Sequence, residues 1–566
     1  MLIYQLFPRW FGNRNPRLQP GGSMQENGAG KFNDIDEKAL QAIKRLGVSH
    51  VWLTGVLEHA SATDYSAYGI TPVHSALVKG RAGSPYAIRD YYDVCPDLAI
   101  DIPHRMQEFE ALLARCREEG LQVLIDFVPN HLFREYASDV APQGVEDFGA
   151  QDRPETAFHP QNNFYYLPGS AFRPPVESAS DYMEIPARVT GNDCFSPQPS
   201  RNDWYETVKL NYGVDYAQDG QPHFQPIPDT WHKMLHILTF WAEKGVDGFR
   251  CDMAEMVPEA FWAWVIPQLS EAAARAKRAA PLWIAEIYQP WRYEAYIQSG
   301  FDFLYDKMGL YDCLKQVLRG EAPTTQITRC WQALGALQPR MLNFLENHDE
   351  QRLASDFFIG EGLKALPALL VSSCLNTAPF MLYAGQEFGE RGMEAEGFSG
   401  LDGRTSIFDY WSVGSLRRFG NEGRFDGGGL LEDEQKIYAL YLRLLGGLRQ
   451  EAAIARGESY DLMYVNPQYP RQYAFLRYIP NSTVDETLFL LVANFDAQPV
   501  EMALHIPPHA FAHGQLQAGA WECREECLQA GATQGLGQRL SPERPFCLSL
   551  PAYGAAAFVF SLDKNI

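Results

Sequence analysis

A (β/α)8 TIM barrel, with an inserted domain after its third strand and an antiparallel β domain at its C-terminal end, is the architecture this sequence predicts. Three observations lead there. Amphipathic helices that close on glycine alternate with continuous apolar strands, eight such strands precede residue 450, and beyond residue 458 the pattern changes to short alternating strands. Strands that are apolar throughout are buried on both faces, as in a parallel sheet, whereas alternation marks an antiparallel sheet with one wetter face.

The elements follow in order. The first strand, LIYQLF, covers 2–7. A helix starting at Glu37 places Leu40, Ile43 and Leu46 on one face, Gly47 supplies a left-handed cap, and VSHVWLT gives a strand at 50–54. Phe109, Leu112, Leu113 and Cys116 make the next apolar face, with Gly120 ahead of LQVLIDFV and a strand at 122–128. The helix over 231–244 ends at Gly245 and leads into VDGFRCD, with a strand at 246–251. Strands at 282–287, 301–305, 341–345 and 380–383 complete the barrel.

Most intervals between these strands match one βα unit, but the interval from 128 to 246 is far longer. We assign 131–224, rich in Pro, Asn, Gly and Tyr (NNFYYLPGSAFRPP), to an inserted irregular domain over the barrel mouth. The interval 56–106 adds a smaller lobe. The barrel then comprises 1–130 and 225–450, including a helix over 433–448, and 451–566 form the β domain, with RQYAFLRY, TLFLLVANF and AAAFVFSL as strands.

Composition excludes several functions. With 48 basic against 70 acidic residues the net charge is −22, which repels phosphate backbones and anionic lipid surfaces. Neither nucleic acid nor a membrane is an expected partner. The longest apolar run, 366–385, is interrupted by Ser372, Ser373, Asn376, Thr377 and Pro379, and reads as a buried helix followed by a strand. The ten cysteines are too dispersed for a disulfide scaffold and are expected as free thiols, which, with an N-terminus that reads as a barrel strand, places the protein in the cytoplasm.

In a barrel of this type the chemistry lies at the C-terminal ends of the strands. Four of those ends carry acids: DFVPNH after the third strand, GFRCD after the fourth, IAEIY after the fifth and FLENHDE after the seventh. Any single acid there is read equally well as a helix cap or ion-pair partner. Several carboxylates, two histidines and an arginine at one mouth suit glycoside hydrolysis, in which one carboxylate attacks the anomeric carbon and another donates a proton.

These four segments, in this order and at about these separations, resemble the conserved regions of the α-amylase family of retaining glycosidases and transglycosidases. The resemblance implies that Asp252 is the nucleophile, Glu286 the general acid/base and Asp349 the stabiliser of the transition state. It implies that His131 and His348 hold the sugar in the cleaving subsite and that Arg250, beside the nucleophile, is a further substrate contact that also has Asp126 as a partner. Tyr86, in SPYAIRDYYDV, matches the aromatic residue under that sugar, with Tyr68 as a competing candidate. Arg352 reaches either a sugar hydroxyl or a neighbouring acid. Trp204, Tyr205, Tyr288, Trp291 and Tyr293 supply rings near the mouth, for flanking subsites or for packing.

The implied activity is retaining hydrolysis of α-1,4 bonds in starch-derived oligosaccharides, supported by Lys209, Leu210 and Asn211, which resemble a segment of maltodextrin-acting members. An α-glucan transglycosidase or a sugar isomerase on the same scaffold is the alternative, and a non-catalytic interaction subunit is disfavoured by the intact acids. No cofactor is expected. Many α-amylases hold calcium between the barrel and the insert, using an Asn that matches Asn130 and the carbonyl of a His four residues after the nucleophile, where this chain has Met256. We therefore expect no metal there. Other motifs fail for lack of partners: Cys523 and Cys527 have no second pair and read as a helix or loop coincidence, His232 and His236 lack a glutamate between them, and NGAGKF departs from a phosphate loop.

Overall fold

The computed structural model describes residues 1–176, 181–480, 487–516, 521–528 and 535–562. Eight parallel strands close in chain order: β1 (Leu2–Leu6), β2 (His50–Leu53), β3 (Gln122–Phe127), β4 (Gly248–Cys251), β5 (Leu282–Ala285), β6 (Phe303–Tyr305), β7 (Met341–Phe344) and β8 (Phe380–Tyr383), with β8 paired onto β1. They coincide with the strands read from the sequence. Every residue of β1, β2, β4, β7 and β8 is buried, which is why these segments are mostly apolar, with Gln5, His50, Arg250 and Asn343 as buried polar exceptions.

The helices around the barrel form where the spacing places them. In α1 (Glu37–Lys44) the Asp36 side chain accepts a hydrogen bond from the Ala39 N–H, while Leu40 and Ile43 face the strands. In α2 (Arg105–Glu118) the buried face contains Phe109, Leu112, Leu113 and Cys116, each large apolar side chain contributing about 1.5–3 kcal/mol by leaving water. The helix α3 (Asp229–Lys244) ends at Gly245, whose φ of 101° is strained for any residue with a Cβ. On α3, His236 Nδ1 lies 2.9 Å from the Tyr92 hydroxyl and His232 packs edge-on against Trp264, so this pair is structural. The helix expected over 433–448 is regular only over Glu432–Tyr441; it widens over Leu442–Gly447, where a Cβ on Gly446 would come within 2.3 Å of the Arg45 carbonyl oxygen.

Two excursions rise above the C-terminal ends of the strands. After β2, Leu57–His59 pairs antiparallel with Ile88–Val94. After β3, His131–Phe133 pairs antiparallel with Thr207–Lys209, placing His131 opposite Lys209. The two share a small core of their own, with Ala60, Leu77 and Ala87 from the first packed on Phe133, Phe172, Ala187 and Tyr205 from the second. They therefore roof the mouth as one body.

The C-terminal strands are β9 (Glu458–Asp461), β10 (Gln472–Tyr478), β11 (Thr487–Asn494), β12 (Val500–Leu504), β13 (Trp521–Glu526), β14 (Phe546–Leu550) and β15 (Ala555–Leu562). They form a five-stranded antiparallel sheet in the order β9-β10-β11-β15-β13 and a β12-β14 pair. Cys523 lies within β13, not in the helix or loop expected for it. Arg477 and Thr324 fasten this sheet to the barrel through the carbonyl oxygens of Leu375 and Gln472. Among the described residues no helix is long and apolar enough to cross a membrane, and the ten cysteines are unpaired.

Candidate active site

Register delivers the acids to one level. In β4 Arg250 pairs with Asp126 of β3 and Ile284 of β5, so Asp252 and Glu286 emerge as neighbours just past the strand ends. With Asp349, which follows β7, they face a cleft of about 250 Å³ that Tyr86, His131, His348 and Tyr288 also line.

Arg250 organises the floor. Its Nη1 donates to Asp252 Oδ1 at 2.7 Å and to Asp126 Oδ1 at 3.2 Å, Nη2 lies 2.8 Å from Glu286 Oε2, and Nε donates to the Tyr305 hydroxyl at 3.1 Å. The side chain is wholly buried and sandwiched by the Trp52, Tyr86 and Tyr305 rings. Expected as a substrate contact, Arg250 instead sits beneath the carboxylates, because three acids and three rings enclose the guanidinium. A buried cation of this kind needs opposite charge beside it, and three carboxylates supply it, although Nη2 meets Glu286 as an ion pair without a well-aligned hydrogen bond.

Glu286 accepts two more hydrogen bonds, from the Met253 N–H at 2.7 Å and from the Tyr288 hydroxyl at 2.5 Å. The first depends on Met253 adopting φ 43°, ψ 43°, a left-handed conformation costing about 1–2 kcal/mol for a residue with a side chain. Burial pushes the Asp252 carboxyl well above the usual range, and Glu286 and Asp126 push it the same way, while Arg250 opposes them. Burial likewise raises Asp126, to about 6, against the pull of Arg250 and of the Trp52 N–H. Asp349, whose side chain is 47% exposed at the cleft, is raised by partial desolvation against the pull of Arg250. Asp252 and Glu286 share one guanidinium.

Both histidines are held neutral. Burial, with Arg250, lowers His348 to about 3; burial, with Lys209 and Lys79, lowers His131 to about 3. The Gln5 amide lies 2.8 Å from His348 Nδ1, which makes that nitrogen the acceptor and puts the ring proton on Nε2, 2.5 Å from the Tyr86 hydroxyl. Tyr86 in turn points its hydroxyl at Asp126 Oδ1, 3.4 Å away, and stacks on His348. Tyr86 thus occupies the cleft, whereas Tyr68 is half exposed on the outer surface.

Arg352 needs a correction. It is wholly buried outside the cleft, where Nη1 pairs with Glu346 Oε2 at 2.9 Å and the guanidinium covers the Tyr383 ring at 4.0 Å. Its neighbouring acid, rather than a sugar, is its partner. Among the other rings, Trp204 and Tyr288 line the cleft, Tyr205 and Tyr293 are core residues, and Trp291 stands on the surface, 80% exposed. Lys79, Glu206, Thr207, Ile407 and Phe408 line the cleft without any sequence signal. They come from long connections where neither periodicity nor motif marks a residue.

The calcium position is already engaged. Asn130 Oδ1 accepts from Lys209 Nζ at 3.0 Å, its Nδ2 donates to the Gly191 carbonyl oxygen at 2.8 Å, and Lys209 Nζ is 2.5 Å from Asp193 Oδ1. An ammonium therefore supplies the positive charge between strand end and insert, and these donors do not fit a divalent ion needing six to eight oxygens. Among the described residues no three His, Cys, Asp or Glu gather as metal ligands.

Comparison with known proteins accords with this geometry. The family model for the α-amylase catalytic domain matches residues 5–272. Over these residues the chain is similar to the α-amylase family. The α-amylase MalA of Haloarcula japonica is 25% identical over 406 residues, 69% of this chain but 44% of that protein, so the chain spans less than half of that relative. Alpha-amylase 3 of Dictyoglomus thermophilum is 23% identical over 464 residues, covering 78% of this chain and 76% of its own. In fold, the chain is similar to the noncanonic maltogenic α-amylase AmyB from Thermotoga neapolitana, with TM-score 0.60 at 20% identity over 100% of this chain and 99% of that one.

Proposed function

We propose that the protein is a retaining α-glucan hydrolase that cleaves α-1,4 bonds of starch-derived oligosaccharides by double displacement. The observation that carries this reading is the single guanidinium of Arg250 joining Asp252 and Glu286 on the floor of a sugar-sized cleft. Retention requires two carboxyl groups close together, one attacking and one protonating.

In the proposed mechanism Glu286 gives its proton to the glycosidic oxygen as Asp252 attacks the anomeric carbon, and the C–O bond to the leaving chain breaks. Water then gives a proton to Glu286 and attacks the same carbon, releasing Asp252. Asp349 faces the cleft where positive charge develops on the sugar ring. Arg250, 2.7 Å from Asp252 Oδ1, favours the ionised nucleophile. Tyr86, held by His348 Nε2–H through its hydroxyl, provides a ring face for the sugar beside Asp252. The names of the relatives, α-amylases and a maltogenic α-amylase, favour an α-glucan. Unpaired thiols favour a reducing compartment, and we place the protein in the cytoplasm.

The test is incubation with maltoheptaose followed by NMR of the fresh products. New α-anomeric reducing ends from the parent, and none from Asp252→Asn, are expected. Products of β configuration, or longer chains without new reducing ends, contradict the reading.

A further inference from the structure

The cleft is closed on one side by groups the mechanism does not use. Lys79, from the lobe after β2, and Glu206, from the insert, meet across it with Nζ 2.8 Å from Oε1; their side chains are 10% and 4% exposed. The second oxygen, Glu206 Oε2, is buried without a hydrogen-bond partner, a costly state that a ligand hydroxyl would relieve. The wall continues past Lys79. At Gly80 (φ 67°) a Cβ would lie 2.2 Å from the Phe408 carbonyl oxygen, which also accepts the Ala82 N–H at 3.0 Å, and Arg9 ties the Ile407 and Ala82 carbonyl oxygens together at 3.0 and 3.2 Å. Insert, lobe and the connection after β8 thereby form one continuous barrier.

On the hydrolase reading, in which Tyr86 and His131 hold the sugar, this barrier falls on the glycone side: Lys79 belongs to the segment that carries Tyr86, and Glu206 adjoins the strand Thr207–Lys209 that pairs with His131. The volume of about 250 Å³ is small against the 300–1,000 Å³ usual for ligand sites. A glycan therefore ends against Lys79 and Glu206.

We propose that Lys79 and Glu206 recognise the hydroxyls of the non-reducing terminal sugar, so that the enzyme works from chain ends rather than within chains. This rests on the hydrolase reading above and adds its direction and substrate end. An ammonium donor beside a carboxylate acceptor matches neighbouring hydroxyls of a neutral sugar, and the Glu206 charge disfavours a phosphorylated or carboxylated terminus.

The experiment compares maltoheptaose with maltoheptaose whose terminal 4- and 6-hydroxyls are tied as an acetal. The parent is expected to cleave the free substrate at least roughly a hundredfold faster, because a site built for hydroxyls rejects analogues lacking them, with only mono- or disaccharide as first product. Glu206→Gln and Lys79→Met are each expected to raise KM for maltoheptaose about tenfold with kcat within about threefold. Equal cleavage of free and blocked substrates by the parent overturns the inference while leaving hydrolysis intact, as does unchanged KM in both variants. No cleavage of either substrate by the parent overturns the hydrolase reading and the inference with it.

Discussion

Arg250 and Lys79 are both buried cations at the cleft, yet their surroundings differ in kind. Arg250 meets Asp126, Asp252 and Glu286 together with the Tyr305 hydroxyl, all on barrel strands or the residues just after them. Lys79 meets one acid, Glu206, which arrives on a different excursion. The floor is thus set by strand register, where a neighbouring residue has one place to go. The wall is set by how two irregular segments pack on their shared Leu77, Phe133 and Tyr205 core. On the proposed function, chemistry falls to the rigid part and selection of substrate to the part that varies with loop packing.

The sharpest break of the floor is Asp252→Asn. It is expected to lower kcat at least about a thousandfold, because the amide forms no glycosyl-enzyme. Since burial raises the Asp252 carboxyl, ionising it costs folding free energy, and the variant's melting temperature at pH 7 is expected to equal or exceed the parent's. Calorimetry beside rate measurement checks both halves; a variant that melts much lower contradicts the placement of Asp252 in a dry floor.

The pH profile is the next test. With Asp252 raised, the nucleophile is protonated at pH values where an ordinary carboxylate is ionised, so the acid limb of kcat/KM is expected well above pH 4, with about a tenfold loss per unit below it. Asp126, raised from about 3.9 when unfolded to about 6, is expected to cost no stability below about pH 4 and its full cost above about pH 6. An acid limb at ordinary carboxylate values contradicts the burial argument.

Arg352→Leu separates a structural arginine from the catalytic floor. Leaving Glu346 buried without its cation is expected to cost about 3–5 kcal/mol in denaturant unfolding, while activity well below the new melting point stays within about tenfold. A normal melting temperature with a large rise in KM returns Arg352 to the substrate. The smallest effect belongs to calcium. Dialysis against a strong chelator is expected to leave activity and melting temperature unchanged, because Lys209 occupies the oxygen of Asn130; a loss that calcium restores contradicts this.

The sequence by itself determined the barrel, because a strand buried on both faces must be apolar along its length, and all eight segments that read so became barrel strands. It also determined which acids reach the mouth, since Asp252 and Glu286 follow such strands directly, where register leaves them no freedom, and Asp349 comes a few residues past the end of another. Tertiary structure alone decided the rest. Arg250 and Arg352 look alike beside acidic motifs, and only the packing of rings and carboxylates around them put one beneath the catalytic pair and the other outside the cleft. The left-handed Met253 has no signature in a residue type that rarely adopts that conformation. Lys79 and Glu206 are separated by more than a hundred residues and arrive on two different excursions, and their meeting depends on long-range packing that no local periodicity encodes.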